Sequence, residues 1–246
     1  YGSNNRIVAS TSFRASVAMD PSVPTPTSGN IIGGTAPEDR NELRHVWFVH
    51  GASGNTVIGN AIRRVQITGD TLFGPCNNNR IGGPTPEERN TLTGNGGSGE
   101  EGVPTGIQVE IKHAVGTIIE GNYIGTSSDG MAASAINGVS GVNVGLGAVG
   151  TIIRDNLISG IARTGTFHYA GVRFGTGIVV TDGSSNTSIV GNRLGQNADG
   201  SGNIINVQGM LVARSTTLAA PVTGVTIGGT APGEGKTTGS TTVPAH

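Results

Sequence analysis

Short apolar stretches recur along the chain around a repeated asparagine. Five segments superimpose when they are aligned on that residue: NTVIGN, NTLTGN, TIIEGN, TIIRDN and TSIVGN, which end at Asn60, Asn95, Asn122, Asn156 and Asn192. An aliphatic residue stands three positions before each asparagine, whereas the residue two before it varies between apolar, polar and charged types. This alternation has the period of two that separates the faces of a β-strand, so it predicts a short strand before each asparagine.

A second set of strands is predicted upstream of these asparagines. Its members read HVWFV from 45, RIGG from 80, GIQVEI from 106, GVNVGL from 141 and GIVVT from 177, with GMLVA following from 209. The side chains expected to face inward are Val46 and Phe48, Ile107 and Val109, Val142 and Val144, Ile178 and Val180, and Met210 and Val212. Each repeat therefore carries two short strands.

The spacing of the repeats favours a solenoid over a β-sandwich. The aligned asparagines follow one another at intervals of 27 to 36 residues, whereas the strands of a sandwich recur every 8–12 residues. A solenoid stacks each coil on the next and lines up equivalent side chains along its axis. We therefore expect Asn60, Asn95, Asn122, Asn156 and Asn192 to form an amide ladder at a bend between strands.

Composition excludes several other classes of protein. The chain has 43 Gly in 246 residues but no Gly-X-Y period, so it is not a collagen. Only 13% of residues are charged and the net charge is −1, which argues against a disordered chain and against a nucleic-acid partner. The single cysteine, Cys76, excludes an internal disulfide framework. No apolar run reaches the roughly 18 residues of a membrane span, and we expect neither a cofactor nor a metal.

Four segments carry a resemblance to a known family. SGNIIGGTAPEDRN from 28, NNRIGGPTPEERNTLTGN from 78, TIIEGNYIGTSSDG from 117 and GVTIGGTAPGEG from 224 resemble the repeat units of bacterial right-handed parallel β-helix proteins of the pectate-lyase-like superfamily. The resemblance covers 30–235. It implies a secreted or cell-surface protein, since many of its members are adhesin-like or matrix-like arrays and a minority cleave polysaccharides.

Together these patterns predict an all-β protein with the fold of a single-stranded right-handed parallel β-helix of about six to seven coils. The β-helix is expected over 28–235. An N-terminal strand, cap or docking segment would precede it at 1–27, and a polar tail would follow at 236–246.

Candidate catalytic groups are sparse. Among the outward positions of the second set of strands, only Glu110 and Lys112 could transfer protons, and we expect this pair to lie on a solvated face. TDG at 181–183 is similar to one motif of the polygalacturonase-like hydrolases. Their paired aspartates and their other motifs are missing from the sequence, so no catalytic residue is predicted.

The segment 162–174 concentrates aromatic and basic residues. It contains Arg163, Phe167, His168, Tyr169 and Arg173. Stacking aromatics beside arginine suit the recognition of sugars or proteins, and loops often carry such sites. These five residues are the candidate ligand-binding residues, with a loop packed on the side of the solenoid as the alternative.

We therefore expect an extracellular structural or adhesive module at the cell surface. The alternatives are a polysaccharide lyase or glycoside hydrolase of the β-helix type, and a non-catalytic carbohydrate-binding module of a surface or phage fibre. A surface glycan is a possible partner. Because solenoid ends need caps, we also expect either head-to-tail stacking of copies through RIVASTSFRASVAM (6–19) or a local cap formed by that segment.

Overall fold

The structure is a computed structural model that describes residues 3–18, 27–94, 107–135, 138–162, 175–214, 219–230, 235 and 237–238. Residues 12–18 and 237–238 are described by their backbone alone. In this part of the chain the protein is all-β, with 22 strands and two 3-10 helices, Pro37–Asp39 and Pro86–Glu88.

Most strands belong to two sheets, and we number them β1 to β22 in chain order. Sheet A contains eight strands: β1 (Arg6–Ile7), β3 (Ile31–Gly33), β5 (Thr56–Ile58), β8 (Arg80–Gly82), β12 (Ile118–Glu120), β15 (Ile152–Arg154), β18 (Ser188–Val190) and β21 (Thr226–Ile227). Sheet B contains twelve: β2 (Thr11–Ala18), β4 (Glu42–Val49), β6 (Ala61–Thr68), β9 (Thr91–Leu92), β10 (Ile107–Lys112), β13 (Tyr123–Ile124), β14 (Ser140–Gly145), β16 (Leu157–Ile158), β17 (Thr176–Thr181), β19 (Arg193–Leu194), β20 (Gln208–Ala213) and β22 (Thr237–Thr238). The remaining pair is β7 (Cys76–Asn77) with β11 (Ala114–Val115).

The chain passes repeatedly from sheet A to sheet B, and we call one such passage a coil. Coils are numbered in chain order from the one that begins with β1, so coil 4 begins with β8 and coil 5 with β12. Each strand pairs in parallel with the equivalent strand of the next coil, as Ile31 does with Thr56 and Ile118 with Ile152. In the described part of the chain, the eight strands of sheet A correspond to eight coils, compared with the six to seven expected. The difference arises because the early coils are short: Ile31, Thr56 and Arg80 are successive register partners.

Later coils are longer because an insertion divides their sheet B strand. In coil 3 the strand β6 is continuous, and its first half pairs with β9 while its second half pairs with β10. In coil 4, β9 and β10 therefore take the place of one continuous strand, and residues 93–106 are inserted between them. The same division separates β13 from β14, β16 from β17 and β19 from β20. The sequence pattern did not reveal this continuity, because arginines interrupt the apolar alternation of β6.

Columns of aliphatic side chains fill the space between the sheets. Sheet A contributes Ile32, Val57, Ile81, Ile119, Ile153 and Ile189, all fully buried. Sheet B contributes Leu43, Ile62, Leu92, Ile124, Ile158 and Leu194, and further along its strands Val46, Val65, Val109, Val142 and Ile178 beside Phe48, Ile67, Ile111, Val144 and Val180. A fully buried side chain of this kind stabilises the fold by about 1.5–3 kcal/mol.

The inward face of β10 carries one residue more than the expected pair. Ile107 and Val109 are buried as expected, and Ile111 on the same face is buried as well. Val109 pairs with Val142 and Ile111 pairs with Val144, so the core columns continue through Val109 and Ile111.

The aligned asparagines form a hydrogen-bonded column. From Asn41 to Asn156, the Nδ2 of each asparagine donates to the Oδ1 of the asparagine in the next coil, at 2.8 to 3.1 Å, and its backbone N–H donates to the same oxygen. The column contains Asn41, Asn60, Asn90, Asn122, Asn156 and Asn192, all buried. Nδ2 also donates to a carbonyl of an earlier coil, as Asn122 does to Ile81.

One member of this column differs from the sequence alignment. The rung assigned to Asn95 is occupied by Asn90, and Asn95 lies outside the described residues. The misleading feature is the 3-10 helix Pro86–Glu88, which separates the sheet A strand of that coil from its asparagine. The same insertion, Pro37–Asp39, precedes Asn41, so the shared ending of APEDRN and TPEERN is the sequence signal for both rungs.

The residue before the asparagine explains the recurrent Gly-Asn pair. Gly59, Gly121 and Gly191 have φ between 62° and 69°, the left-handed region that glycine adopts without strain. A Cβ on Gly121 would also lie 2.1 Å from the carbonyl oxygen of Gly83 in the neighbouring coil. Asp155 replaces glycine in one coil and keeps the same conformation, with φ 56°.

A second column lies at the entry to sheet A. Asn5, Asn30, Asn55 and Asn79 repeat the same donor pattern, for example from Asn55 Nδ2 to Asn79 Oδ1 at 3.0 Å. From coil 5 onward threonine takes the position, since Ile118, Ile152 and Ser188 each follow a buried threonine. The hydroxyls of Thr117, Thr151 and Thr187 have no hydrogen-bond partner.

The N-terminal segment is part of the same stack. Strand β1 pairs in parallel with β3, and β2 pairs in parallel with β4 over Thr11 to Ala18. RIVASTSFRASVAM therefore supplies the first coil of this chain up to Ala18, and Met19 lies outside the described residues.

We predict that Asn122→Ala lowers the free energy of unfolding by about 1–3 kcal/mol, because the Oδ1 that accepts from Asn90 is lost and Asn156 loses a donor. Urea unfolding followed by circular dichroism measures this change. Asn203→Ala is the matched control, because Asn203 is exposed, and it should change stability by less than about 0.5 kcal/mol. Equal stability of the two variants would contradict the role of the column.

Candidate functional site

The five ligand-binding candidates of the sequence, Arg163, Phe167, His168, Tyr169 and Arg173, lie outside the described residues. The structure therefore directs attention to polar residues elsewhere. The strongest concentration lies on the outer face of sheet B.

Strand register places one outward residue of each coil in a single row. This outer row consists of Trp47, Gln66, Glu110, Asn143, Val179 and Leu211, which are successive partners across β4, β6, β10, β14, β17 and β20. Adjacent members lie about 4.8 Å apart along the stack. The row therefore changes from aromatic through polar to aliphatic along the axis.

The centre of the outer row is buried, which differs from the solvated face expected for Glu110. Glu110 is 2% exposed, Asn143 9% and Val179 0%, and every residue of β14 and β17 is buried. The outermost strands differ, because β4 alternates between buried and half-exposed residues and β20 is largely half-exposed. Both faces of the sheet are therefore shielded from water in coils 4 to 6.

Glu110 is held by two cations. Its Oε2 forms an ion pair with Arg64 of the preceding coil, and its Oε1 lies 2.5 Å from Lys112 Nζ on its own strand. Arg64 is 6% exposed, and the lysine side chain is about one fifth exposed. A buried charge is tolerated when it is paired and hydrogen-bonded, and this carboxylate has a cation on each oxygen.

Several buried polar atoms around this ion cluster lack hydrogen-bond partners. They are both amide atoms of Gln108, Oδ1 of Asn143 and Nε of Arg64. An unpaired buried polar group costs about 1–3 kcal/mol, so such groups are uncommon in a stable fold. Their concentration beside a charged cluster distinguishes this part of sheet B from the apolar columns of the core.

An aromatic pair lies at the start of the row. The rings of His45 and Trp47 stack with centroids 5.7 Å apart and an interplanar angle of 10°. Both are half-buried, and Gln66 lies beside Trp47 on the next strand. Stacked aromatic rings next to an amide form a surface that suits the apolar face of a sugar.

An open surface pocket of about 510 Å³ lies on the same sheet, at the start of β4 and β6. Its polar lining comes from Thr11, Glu42, Arg44, Arg63 and Thr93. Arg44 and Arg63 are neighbours across the two strands, because Leu43 pairs with Ile62.

A second ion cluster lies on sheet A. Glu120 Oε1 lies 2.9 Å from Arg154 Nε, and its Oε2 lies 3.6 Å from Arg80. Burial raises the pKa of the neighbouring Asp155 carboxyl above its usual value, and the charge of Glu120 adds to this effect while Arg154 opposes it. These contacts join coils 4, 5 and 6 on sheet A, and each carboxylate oxygen of Glu120 faces an arginine.

The described residues contain no group of three or more His, Cys, Asp or Glu side chains that could hold a metal ion. Cys76 is a buried free thiol in a column with Ala52, Ala114 and Ala148. No helix in the described part of the chain has the length and apolar character to span a membrane.

Comparison with known proteins adds no family to these observations. No protein-family model, curated protein or solved structure matches the chain.

We predict that Glu110→Gln lowers the free energy of unfolding by about 3–5 kcal/mol, because it leaves Arg64 and Lys112 without their shared counter-charge in a buried site. Chemical denaturation at neutral pH gives the value. Glu87→Gln removes an exposed carboxylate of the same size and should leave stability within about 0.5 kcal/mol of the parent. A small effect at Glu110 would mean that water reaches the cluster.

Cys76 should resist thiol reagents in the folded protein. Burial raises the pKa of its thiol to about 11, so the reactive thiolate is scarce at pH 8. Because the folded pKa exceeds that of the unfolded chain, this group favours folding below about pH 9 and opposes it as the pH rises toward 11. Labelling with an aromatic disulfide at pH 8 should be slow until denaturant is added; rapid native labelling would contradict the burial.

Proposed function

We propose that the chain forms a single right-handed parallel β-helix that serves as a structural or adhesive module outside the cell. The parallel pairing of successive coils supports the β-helix, and its hand follows from the strong preference of parallel crossover connections for right-handed geometry. The extracellular location rests on the resemblance of the repeat units to those of secreted and surface proteins.

A structural role is supported by the way the charged groups are used. Both carboxylate oxygens of Glu110 and of Glu120 bind basic side chains of this chain, which come from neighbouring strands except for Lys112 on the strand of Glu110 itself. A general base or a nucleophile that acts on a bound polysaccharide needs a carboxylate oxygen directed at that polysaccharide. These carboxylates instead connect adjacent coils, so a polysaccharide lyase or hydrolase is the less well supported alternative.

The observation that carries the proposal is the exposed end of the aliphatic columns. Ile227 of β21 is 48% exposed and Val212 of β20 is 42% exposed, whereas their equivalents one coil earlier, Ile189 and Val180, are fully buried. Such a face gains stability when another coil covers it. We propose that the occupant is a second copy of this chain.

The direction of the strands sets the orientation of that contact. Every strand of sheets A and B pairs in parallel with the equivalent strand of the next coil, up to β20 and β21. A second copy continues this parallel pairing only when its first coil meets the last coil of its neighbour. This head-to-tail contact is heterologous and does not close on itself, so it builds a fibre.

A surface glycan is the second candidate partner. The half-buried His45–Trp47 stack beside Gln66 favours it, because an aromatic platform and an amide together bind sugar rings. This would make the chain a non-catalytic carbohydrate-binding module within the same fibre.

We predict concentration-dependent association in sedimentation velocity and short rods in negative-stain images. Introducing charge at the exposed end with Val212→Lys and Ile227→Lys should abolish both, because the ammonium groups would be buried in the contact. Leu72→Lys is the matched control, since Leu72 is 80% exposed but lies on a loop between sheet strands. A monodisperse monomer at all concentrations, from the parent protein, would overturn the fibre.

A further inference from the structure

Three side chains on the outer face of sheet B bring together an amine, a carboxylate and a carboxamide: Lys112, Glu110 and Asn143. Glu110 of β10 is the direct register partner of Asn143 on β14. Lys112 is two residues beyond Glu110 on the same face of the strand and pairs with Gly145. The three side chains therefore share one patch of sheet B, across the junction of coils 4 and 5.

Their spacing brings the lysine and the asparagine within reach. From the strand separation and the rise of two residues, the Cα atoms of Lys112 and Asn143 lie roughly 8 Å apart. Gly145, opposite Lys112, has no side chain to fill the space between them. The Oδ1 of Asn143 lies 3.8 Å from the position that a Cβ of Gly145 would occupy, so the carboxamide leans toward the lysine side of the patch.

The surroundings meet the chemical needs of amide transfer. Glu110 Oε1, 2.5 Å from Lys112 Nζ, is positioned to take a proton from the amine. Asn143 Oδ1 is buried and accepts no hydrogen bond. Glu110 is the register partner of Asn143, so once Glu110 has taken a proton it can donate that proton to this oxygen and polarise the carboxamide. Glu110 is only 2% exposed and Asn143 only 9%, which limits competing attack by water.

We propose that Lys112 and Asn143 join in an intramolecular isopeptide bond, with Glu110 as the proton-transfer group. Lys112 Nζ gives a proton to Glu110 and attacks Asn143 Cγ, and the Glu110 carboxylic acid donates to Oδ1. The new C–N bond forms, the bond from Cγ to Nδ2 breaks, and Nδ2 leaves as ammonia with the protons relayed by Glu110. The lysine ammonium group and the asparagine carboxamide are thus converted into a secondary amide and a free ammonium ion. The reaction needs no oxidant and no other reactant.

The bond would strap coil 4 to coil 5 along the axis of the stack. Hydrogen bonds, apolar contacts and the Arg80–Glu120 ion pair otherwise connect these coils, and β10 and β14 are separated by residues 113–139 of the chain. A covalent link at this point shortens the loop that unfolding can release. Arg64 keeps its ion pair with Glu110 after the lysine charge is lost.

Mass spectrometry of the full chain tests the proposal directly. The denatured, reduced protein should be lighter than its sequence by one ammonia. Lys112 is the sole tryptic site between Arg89 and Arg154, so trypsin should leave residues 90–154 as one peptide that carries the loss. A chain of full mass that is cleaved after Lys112 would overturn the proposal.

Two variants separate this bond from other losses of ammonia. Lys112→Arg cannot form the bond and should show full mass with cleavage after residue 112. Glu110→Gln keeps the lysine and asparagine but removes the proton acceptor, and should also show full mass. The sequence contains Asn95-Gly96 and Asn137-Gly138, which can lose ammonia by succinimide formation. If the loss of ammonia persists in Lys112→Arg, or if trypsin still cleaves after Lys112 in the lighter protein, the loss comes from those Asn-Gly sites. Either result would reject the isopeptide bond.

Discussion

The structure depends on the parallel register between successive coils. Because every strand pairs with its counterpart in the next coil, each inward side chain must match the side chains above and below it. The asparagine column expresses this constraint most strictly, since each carboxamide accepts from one coil and donates to the next. An asparagine that slipped by one residue would turn to the opposite face and leave two neighbours unpaired.

The same constraint decides where variation is allowed. Insertions enter at two kinds of place: the bend between the sheets, as the 3-10 helices before Asn41 and Asn90 do, and the middle of the sheet B strand in the later coils. None of them disturbs the inward columns, because both ends of each insertion return to the same rung. The parallel stack can therefore lengthen a coil from the short early ones to the long later ones without losing its core.

Charge follows the register as well. Arg64, Glu110 and Lys112 alternate in sign across and along two strands, and Arg80, Glu120 and Arg154 do so on sheet A. Buried ion pairs of this kind add little net stability compared with apolar residues, but they penalise a shifted register because a displaced charge would be unpaired. Their position in the middle coils, where sheet B is shielded on both faces, makes that penalty largest.

The sequence by itself determined the strand alternation, the parallel stacking of repeats and the identity of Asn60, Asn122, Asn156 and Asn192 as column members, because these follow from short-range periodicity. It could not separate Asn90 from Asn95, since both stand near an aliphatic residue and only pairing with Asn60 and Asn122 distinguishes them. It also could not reveal that Glu110 is buried between Arg64 and Lys112, nor that Asn143 lies opposite Glu110. Those contacts join residues from different coils, and only the tertiary register decides which residues meet.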